Sequence, residues 1–142
     1  MTRVFDDRSN QMLRGVHPDL VRVMRASLAA APFPFRITEG LRTIERQRQL
    51  VAKGASRTLK SRHLPHRLDG LSRAVDLVPL VDLDNDGKIE TEELYHWPLY
   101  HKLAPVIKAE AARLGIAIVW GGDWRTFKDG PHWELDRRVY PA

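Results

Sequence analysis

A chain of 142 residues, 43% hydrophobic and 29% charged, is long enough for one core and too short for two, so a single domain over residues 1–142 is expected. It has no cysteine, which excludes disulfides, thiolate metal sites and cysteine nucleophiles and leaves His, Asp and Glu to hold any metal. The formal charge is +5, but segment 82–93 carries six acids and one lysine, which leaves 22 bases against 12 acids elsewhere; such a surface favours an anionic polymer such as nucleic acid, anionic lipid or bacterial cell wall.

The first ten residues, MTRVFDDRSN, lack the charged-then-apolar pattern of a secretory signal, and no apolar run approaches the ~18 residues of a membrane span. A cytoplasmic product without membrane insertion is expected. Pro18 suits a helix first turn, and Leu20, Val23, Met24, Ser27 and Leu28 recur at helical spacing until Pro32 and Pro34, which predicts a helix over 18–30. Phe35 to Thr38 alternates like a strand, and Thr43 suits the cap of a second helix ending near Gly54. Ala74 to Leu80 reads as a buried strand whose one charge is Asp76. Pro98 opens a third helix, with Leu99, Leu103, Val106, Ile107 and Leu114 on one stripe and Gly115 as its stop. Ile116 to Trp120 reads as a strand, followed by a Gly-Gly turn and a last strand around His132 to Leu135. Without regular βαβ alternation the pattern predicts an α+β fold with a small antiparallel or mixed sheet.

Residues 82–93, DLDNDGKIETEE, place Asp82, Asp84, Asp86, Lys88, Glu90 and Glu93 at the ligand positions of an EF-hand-like calcium loop, with Gly87 at its sharp turn. Calcium wants six to eight oxygens, and this spacing wraps carboxylates around one point, with Lys88 offering its carbonyl and Glu93 both oxygens. One such loop without a partner reads as a local staple rather than a paired sensor. A long helix on its N-terminal side is not expected, because Val75 to Val81 reads as strand. Asp76 and Asp82 lie on one strand-to-loop segment, so ordering the loop is expected to steady Asp76.

Six histidines stand at 17, 63, 66, 96, 101 and 132. His63, Asp76 and His132 sit in distinctive contexts, and two His with one carboxylate suffice for a catalytic zinc that keeps one position for water. A nearby carboxylate would move the proton; Asp123, Glu134 and Asp69 lie in the same regions, but Asp129, three residues before His132 through Gly-Pro, is placed to share one cleft with it. Trp120, Trp124 and Trp133 read as core or turn packing, unless one flanks the cleft.

The ordered motifs Ser61-Arg62-His63, Ala74-Val75-Asp76-Leu77, Trp120-Gly121-Gly122-Asp123-Trp124 and Asp129-Gly130-Pro131-His132 resemble those of the zinc peptidases that include D-alanyl-D-alanine carboxypeptidases and phage L-alanyl-D-glutamate endopeptidases. Val16-His17-Pro18-Asp19-Leu20 and Glu39-Gly40-Leu41-Arg42 with Gln47 are similar to the endolysin branch. The resemblance implies a hedgehog-like α+β peptidase fold, zinc on His63, Asp76 and His132, Asp129 as base and later acid, Arg42 at the substrate carbonyl, and Gln47 and Ser61 lining the site. It also implies peptidoglycan as partner, not nucleic acid, a monomer, and lysis after a separate protein opens the membrane. The expected reaction is hydrolysis of the L-alanyl-D-glutamate bond; a D,D- or L,D-carboxypeptidase, or a non-catalytic calcium-stabilised wall-binding module, are the alternatives. The sequence departs from the family pattern between His63 and Asp76, where twelve residues intervene and His66 enters as a rival ligand.

Overall fold

A computed structural model describes residues 2–56 and 60–142. Its elements are α1 (Asp7–Leu13), α2 (Pro18–Ala30), β1 (Phe35–Glu39), α3 (Ile44–Ala52), β2 (Ala74–Pro79), α4 (Thr91–Leu94), α5 (Trp97–Leu114), β3 (Ile118–Trp120) and β4 (His132–Leu135). The strands form one antiparallel sheet in the order β1-β2-β4-β3, within the α+β class expected.

Side-chain alternation divides β2 and β4 into two faces. Val75 and Leu77 of β2, with Trp133 and Leu135 of β4, point into a core shared with Leu20, Val23 and Met24 of α2 and Leu103 and Ile107 of α5. Trp133 stacks on Trp120 of β3, with centroids 5.8 Å apart. Asp76, His132 and Glu134 alternate with these core residues. The register pairs Asp76 with His132 and Ala74 with Glu134, so one cross-strand pair sets a carboxylate beside an imidazole, and small Ala74 leaves room for the Glu134 side chain.

Helices 18–30 and 97–114 match their apolar stripes, and Gly115 closes the latter. The Thr43 hydroxyl accepts from the Arg46 N–H, 3.1 Å away, and starts α3. Strand β3 is shorter than expected because the Ile116 N–H still belongs to the end of α5, donating to the Ala111 carbonyl at 2.9 Å. The Gly-Gly segment is a 3-10 turn over Gly121–Asp123. Two short helices escaped the periodicity. In α1 only Ser9 and Leu13 are buried, and the Asp6 carboxylate caps it through the Ser9 N–H; α4 is a single turn at the end of the acidic loop. Among the described residues, no helix is long and apolar enough to cross a membrane.

Candidate active site

The two central strands bring His63, Asp76 and His132 together, although 55 residues separate Asp76 from His132 in the chain. One nitrogen or oxygen from each lies within 4.8 Å of the others. His63 Nε2 is 3.3 Å and His132 Nδ1 3.4 Å from Asp76 Oδ1. Each imidazole is fixed by its other nitrogen: His63 Nδ1 lies 2.8 Å from the Gly40 carbonyl, and His132 Nε2 lies 2.8 Å from Glu134 Oε1. Donation at those atoms fixes the ring orientations in which His63 Nε2 and His132 Nδ1, each hydrogen-bonded to Asp76, would offer their lone pairs to a metal on losing those protons. Two imidazole nitrogens and a carboxylate converging from separate elements, with second hydrogen bonds in place, fit zinc.

Glycines set the approach of the backbone. A Cβ on Gly40 would lie 2.1 Å from the Met12 carbonyl, so only glycine lets this turn pack on α1 and hold its own carbonyl at His63. A Cβ on Gly121 would lie 2.4 Å from the Asp129 carbonyl and 3.0 Å from the His132 Cβ. The Trp-Gly-Gly motif therefore gives the Asp129–His132 turn its seat, pinned by the Asp129 N–H donating to the Gly121 carbonyl at 3.0 Å and by the Trp120 indole N–H donating to the Gly130 carbonyl at 2.8 Å.

The twelve intervening residues form a closed loop. Its base is pinned by the Arg73 N–H donating to the Arg62 carbonyl at 2.9 Å, and its tip by the His66 N–H donating to the Leu71 carbonyl at 3.0 Å. The extra length is spent away from the site, so His63 and Asp76 still meet. His66 turns elsewhere: its Nδ1 accepts from the Leu68 N–H and its Nε2 meets the Pro141 carbonyl.

Arg42 lies beside the three donors, with Nη2 3.5 Å from Asp76 Oδ2. Glu39 grips it with both oxygens at 2.7 and 2.8 Å, and Gln47 Oε1 accepts from Nη1 at 2.7 Å. Its guanidinium is thus locked before any substrate arrives. The Ser61 hydroxyl is 3.4 Å from Arg42 Nη1 and lines the cleft. Gln47 does not line it, contrary to the expectation from sequence: it is fully buried on α3, held between Arg42 and the Ser56 hydroxyl. Its amide orients the arginine from behind.

The rival carboxylates are occupied. Asp123 pairs with Lys108 and Asp69 with Arg73. Glu134, only 5% exposed, holds His132 and faces Arg62 at 3.7 Å and Arg137 at 3.3 Å. Asp129 lines the same cleft as the three donors, and burial, then the charge of Asp76, raise its carboxyl above the ordinary range. Burial would raise Asp76 too, but the charges of and hydrogen bonds from His63 and His132 win and hold it low. For His132, burial favours the neutral ring, yet the hydrogen bonds to Asp76 and Glu134 prevail and push it up to about 9. Trp124 lines the cleft against His132, with centroids 4.9 Å apart, whereas Trp120 and Trp133 are core.

In the acidic loop, donor atoms of Asp82, Asp84, Asp86 and Glu93 lie within 4.8 Å of one another. Asp82 accepts from the Gly87 N–H at 2.7 Å, and the buried Glu93 accepts from the N–H groups of Leu83 and Glu90. Glu90 is not in that group; a hydrogen bond shared with Asp86, then the charges of Asp84 and Asp86, push it up to about 7.

Comparison with known proteins puts this sequence among the peptidases of bacterial viruses. The profile of the phage L-alanyl-D-glutamate peptidase family matches residues 1–141, and the chain belongs to that family. It is 29% identical over 143 residues to the L-alanyl-D-glutamate peptidase of Escherichia phage T5, covering 99% of this chain and 94% of that one. It is 33% identical over 105 residues to the enzyme of the same name from Listeria phage A118, covering 73% of this chain and 31% of the relative. The crystal structure of the Serratia marcescens L-Ala D-Glu endopeptidase ChiX superposes with a TM-score of 0.78 at 43% identity, over 97% of this chain and 93% of that one.

Proposed function

We propose that this chain is a peptidoglycan-degrading zinc endopeptidase, a single catalytic domain over residues 1–142 that acts as a monomer and hydrolyses the L-alanyl-D-glutamate bond of stem peptides. The carrying observation is the convergence of His63 Nε2, Asp76 Oδ1 and His132 Nδ1 in one cleft with Asp129. Family membership and the relatives' names support the bond assignment. The basic surface outside the acidic loop would gather the enzyme on an anionic wall polymer. A role in lysis, with release to the wall after another protein opens the membrane, follows from the same kinship.

His63, Asp76 and His132 would hold the ion. Zinc, when bound, supplies a Lewis acid that activates water and polarises the scissile carbonyl. Asp129 takes the proton of the attacking water and returns it to the departing amine. Its raised pKa suits both duties, since a carboxylate that regains a proton readily is a better base and a competent acid. Arg42, held by Glu39 and Gln47, offers fixed donors to the oxyanion that develops on the carbonyl. Trp124 forms an apolar wall and Ser61 a polar one.

The acidic loop belongs to this reading as a calcium site built from Asp82, Asp84, Asp86 and Glu93, with the Lys88 carbonyl and Glu90 as further oxygens. The like charges of Asp84 and Asp86, which help to push Glu90 up to about 7, are the kind of crowding that a bound cation relieves. Metal content and turnover, measured together, test the assignments. Asp129→Ala is expected to retain zinc and lose hydrolysis, whereas His132→Ala loses both; unchanged turnover in Asp129→Ala would remove the assigned base.

A further inference from the structure

The cleft is lined by four carboxylates, Glu39, Asp76, Asp129 and Glu134, and by three guanidinium groups, Arg42, Arg62 and Arg137. The arginines are not equivalent. Arg42 is 8% exposed; Glu39 and Gln47 take three of its five N–H donors, and the remaining ones face Ser61 and Asp76 beside the proposed metal ligands. Arg62 is equally buried and holds the carbonyls of Leu135 and Tyr140 with one nitrogen. The Arg137 side chain is 60% exposed and touches Glu134 only through Nε, at 3.3 Å. Among the described residues, its two terminal nitrogens make no hydrogen bond.

Its backbone is nevertheless well fixed. Arg137 follows β4 in a turn closed by the N–H groups of Val139 and Tyr140 on the Asp136 carbonyl, at 3.0 and 2.7 Å, and by the fork between Arg138 and Asp136. A guanidinium that lines the cleft, is tied through Nε to Glu134 and has both terminal nitrogens unspent offers the two parallel donors that a planar anion takes.

Resting on the peptidase reading above, the substrate supplies that anion. A glutamate acylated on nitrogen by alanine has two carboxyl groups, and chain continuation uses only one. The other stays free and negative, a few bonds from the scissile amide. Among the guanidinium groups lining the cleft, Arg137 is the one whose terminal nitrogens are left for it, because Arg42 and Arg62 are buried against protein partners. We propose that Arg137 is a specificity-determining residue that binds the free carboxylate of the glutamyl unit through its two terminal nitrogens, so that the enzyme distinguishes a glutamate stem from one whose free carboxyl is amidated.

The test compares two synthetic peptides, acetyl-L-Ala-D-Glu joined to Lys through its side-chain carboxyl and the same peptide with the remaining carboxyl as carboxamide. kcat/KM is measured with the zinc-loaded chain, Arg137→Ala and Arg137→Lys. The natural chain is expected to prefer the acid by about tenfold or more, the usual worth of a hydrogen-bonded charge pair. Arg137→Ala collapses that ratio to near one by losing the acid peptide, and Arg137→Lys, which keeps the charge without the fork, retains an intermediate ratio. A uniform fall on both peptides, with the ratio kept, would mean that Arg137 only steadies Glu134 and would overturn the inference. So would a natural chain indifferent to amidation, although the peptidase reading would then stand. Failure to cut either peptide would defeat that reading and the inference with it.

Discussion

Glu134→Gln isolates the group that orients His132. The carboxylate is buried and accepts from His132 Nε2 at 2.8 Å through one oxygen, while its other oxygen faces Arg62 and Arg137. A hydrogen bond to a buried charged group is worth about 1.5–3 kcal/mol net, and a neutral acceptor keeps roughly half of that. The substitution thus forfeits about 1–1.5 kcal/mol of support for the Nδ1-donor form of His132, or about a tenfold loss of zinc affinity, within the range typical of such outer partners. Glutamine has one oxygen where Glu134 uses two, so an amide that serves the arginines presents its NH2 to His132 and favours the wrong tautomer, which deepens the loss. Competition against a chromophoric chelator at fixed pH reads the affinity, and circular dichroism checks that the fold survives the loss of a counter-ion for Arg62. Zinc affinity within about twofold of the natural chain would refute the orienting role.

Gly121→Ala, which presses a methyl group onto the Asp129 carbonyl and His132, is expected to lower kcat/KM by about a hundredfold through misplacement of both side chains, with the folded far-ultraviolet spectrum kept; near-normal turnover would show that this seat is dispensable. In the metal-free protein, His132 is pushed up to about 9, so the stability it contributes is fully present below its unfolded value near 6.5 and is lost as pH rises through about 9. Chemical denaturation of chelator-treated protein across that window should show the decline, and His132→Asn should flatten it. Calcium is expected to raise the melting temperature of the natural chain but not of Asp82→Ala, which loses a central ligand of the acidic loop. If activity and melting temperature of both respond alike to calcium, the loop does not couple to the site through Asp76.

Asp76 was conspicuous as the one charge in an apolar strand, whereas the joining of His63, Asp76 and His132 with Asp129 came from the resemblance of the ordered motifs. Asp76 stands alone in the buried strand Ala74–Pro79, and His132 and Glu134 alternate with Trp133 and Leu135; each break marks a side chain aimed away from the core. The long helices were legible for the complementary reason, an unbroken stripe with proline at the start and glycine or proline at the end. What stayed hidden depends on register and depth. Nothing local says that Asp76 pairs with His132, or that Glu134 meets His132 Nε2 rather than serving as the base, since both follow from strand pairing. Gln47 was placed at the cleft by the resemblance alone, and its burial cannot be read from a polar helix such as Ile44–Ala52, where it alone is buried. Arg137 carried no signal, being one basic residue among several near the chain end. The short helix Asp7–Leu13 was invisible because its fixing contacts are polar: the Asp6 cap, and the Ser9 hydroxyl accepting from the Ile37 N–H at 3.1 Å.

The most direct test is mass spectrometry of purified peptidoglycan digested by the zinc-reconstituted chain, beside the metal-stripped chain and Asp129→Ala. The account predicts products with a new amino terminus on glutamate and a free carboxyl on L-alanine from the reconstituted chain alone. Release of terminal D-alanine with the alanyl-glutamate bond intact, or equal digestion by the stripped protein, would contradict it.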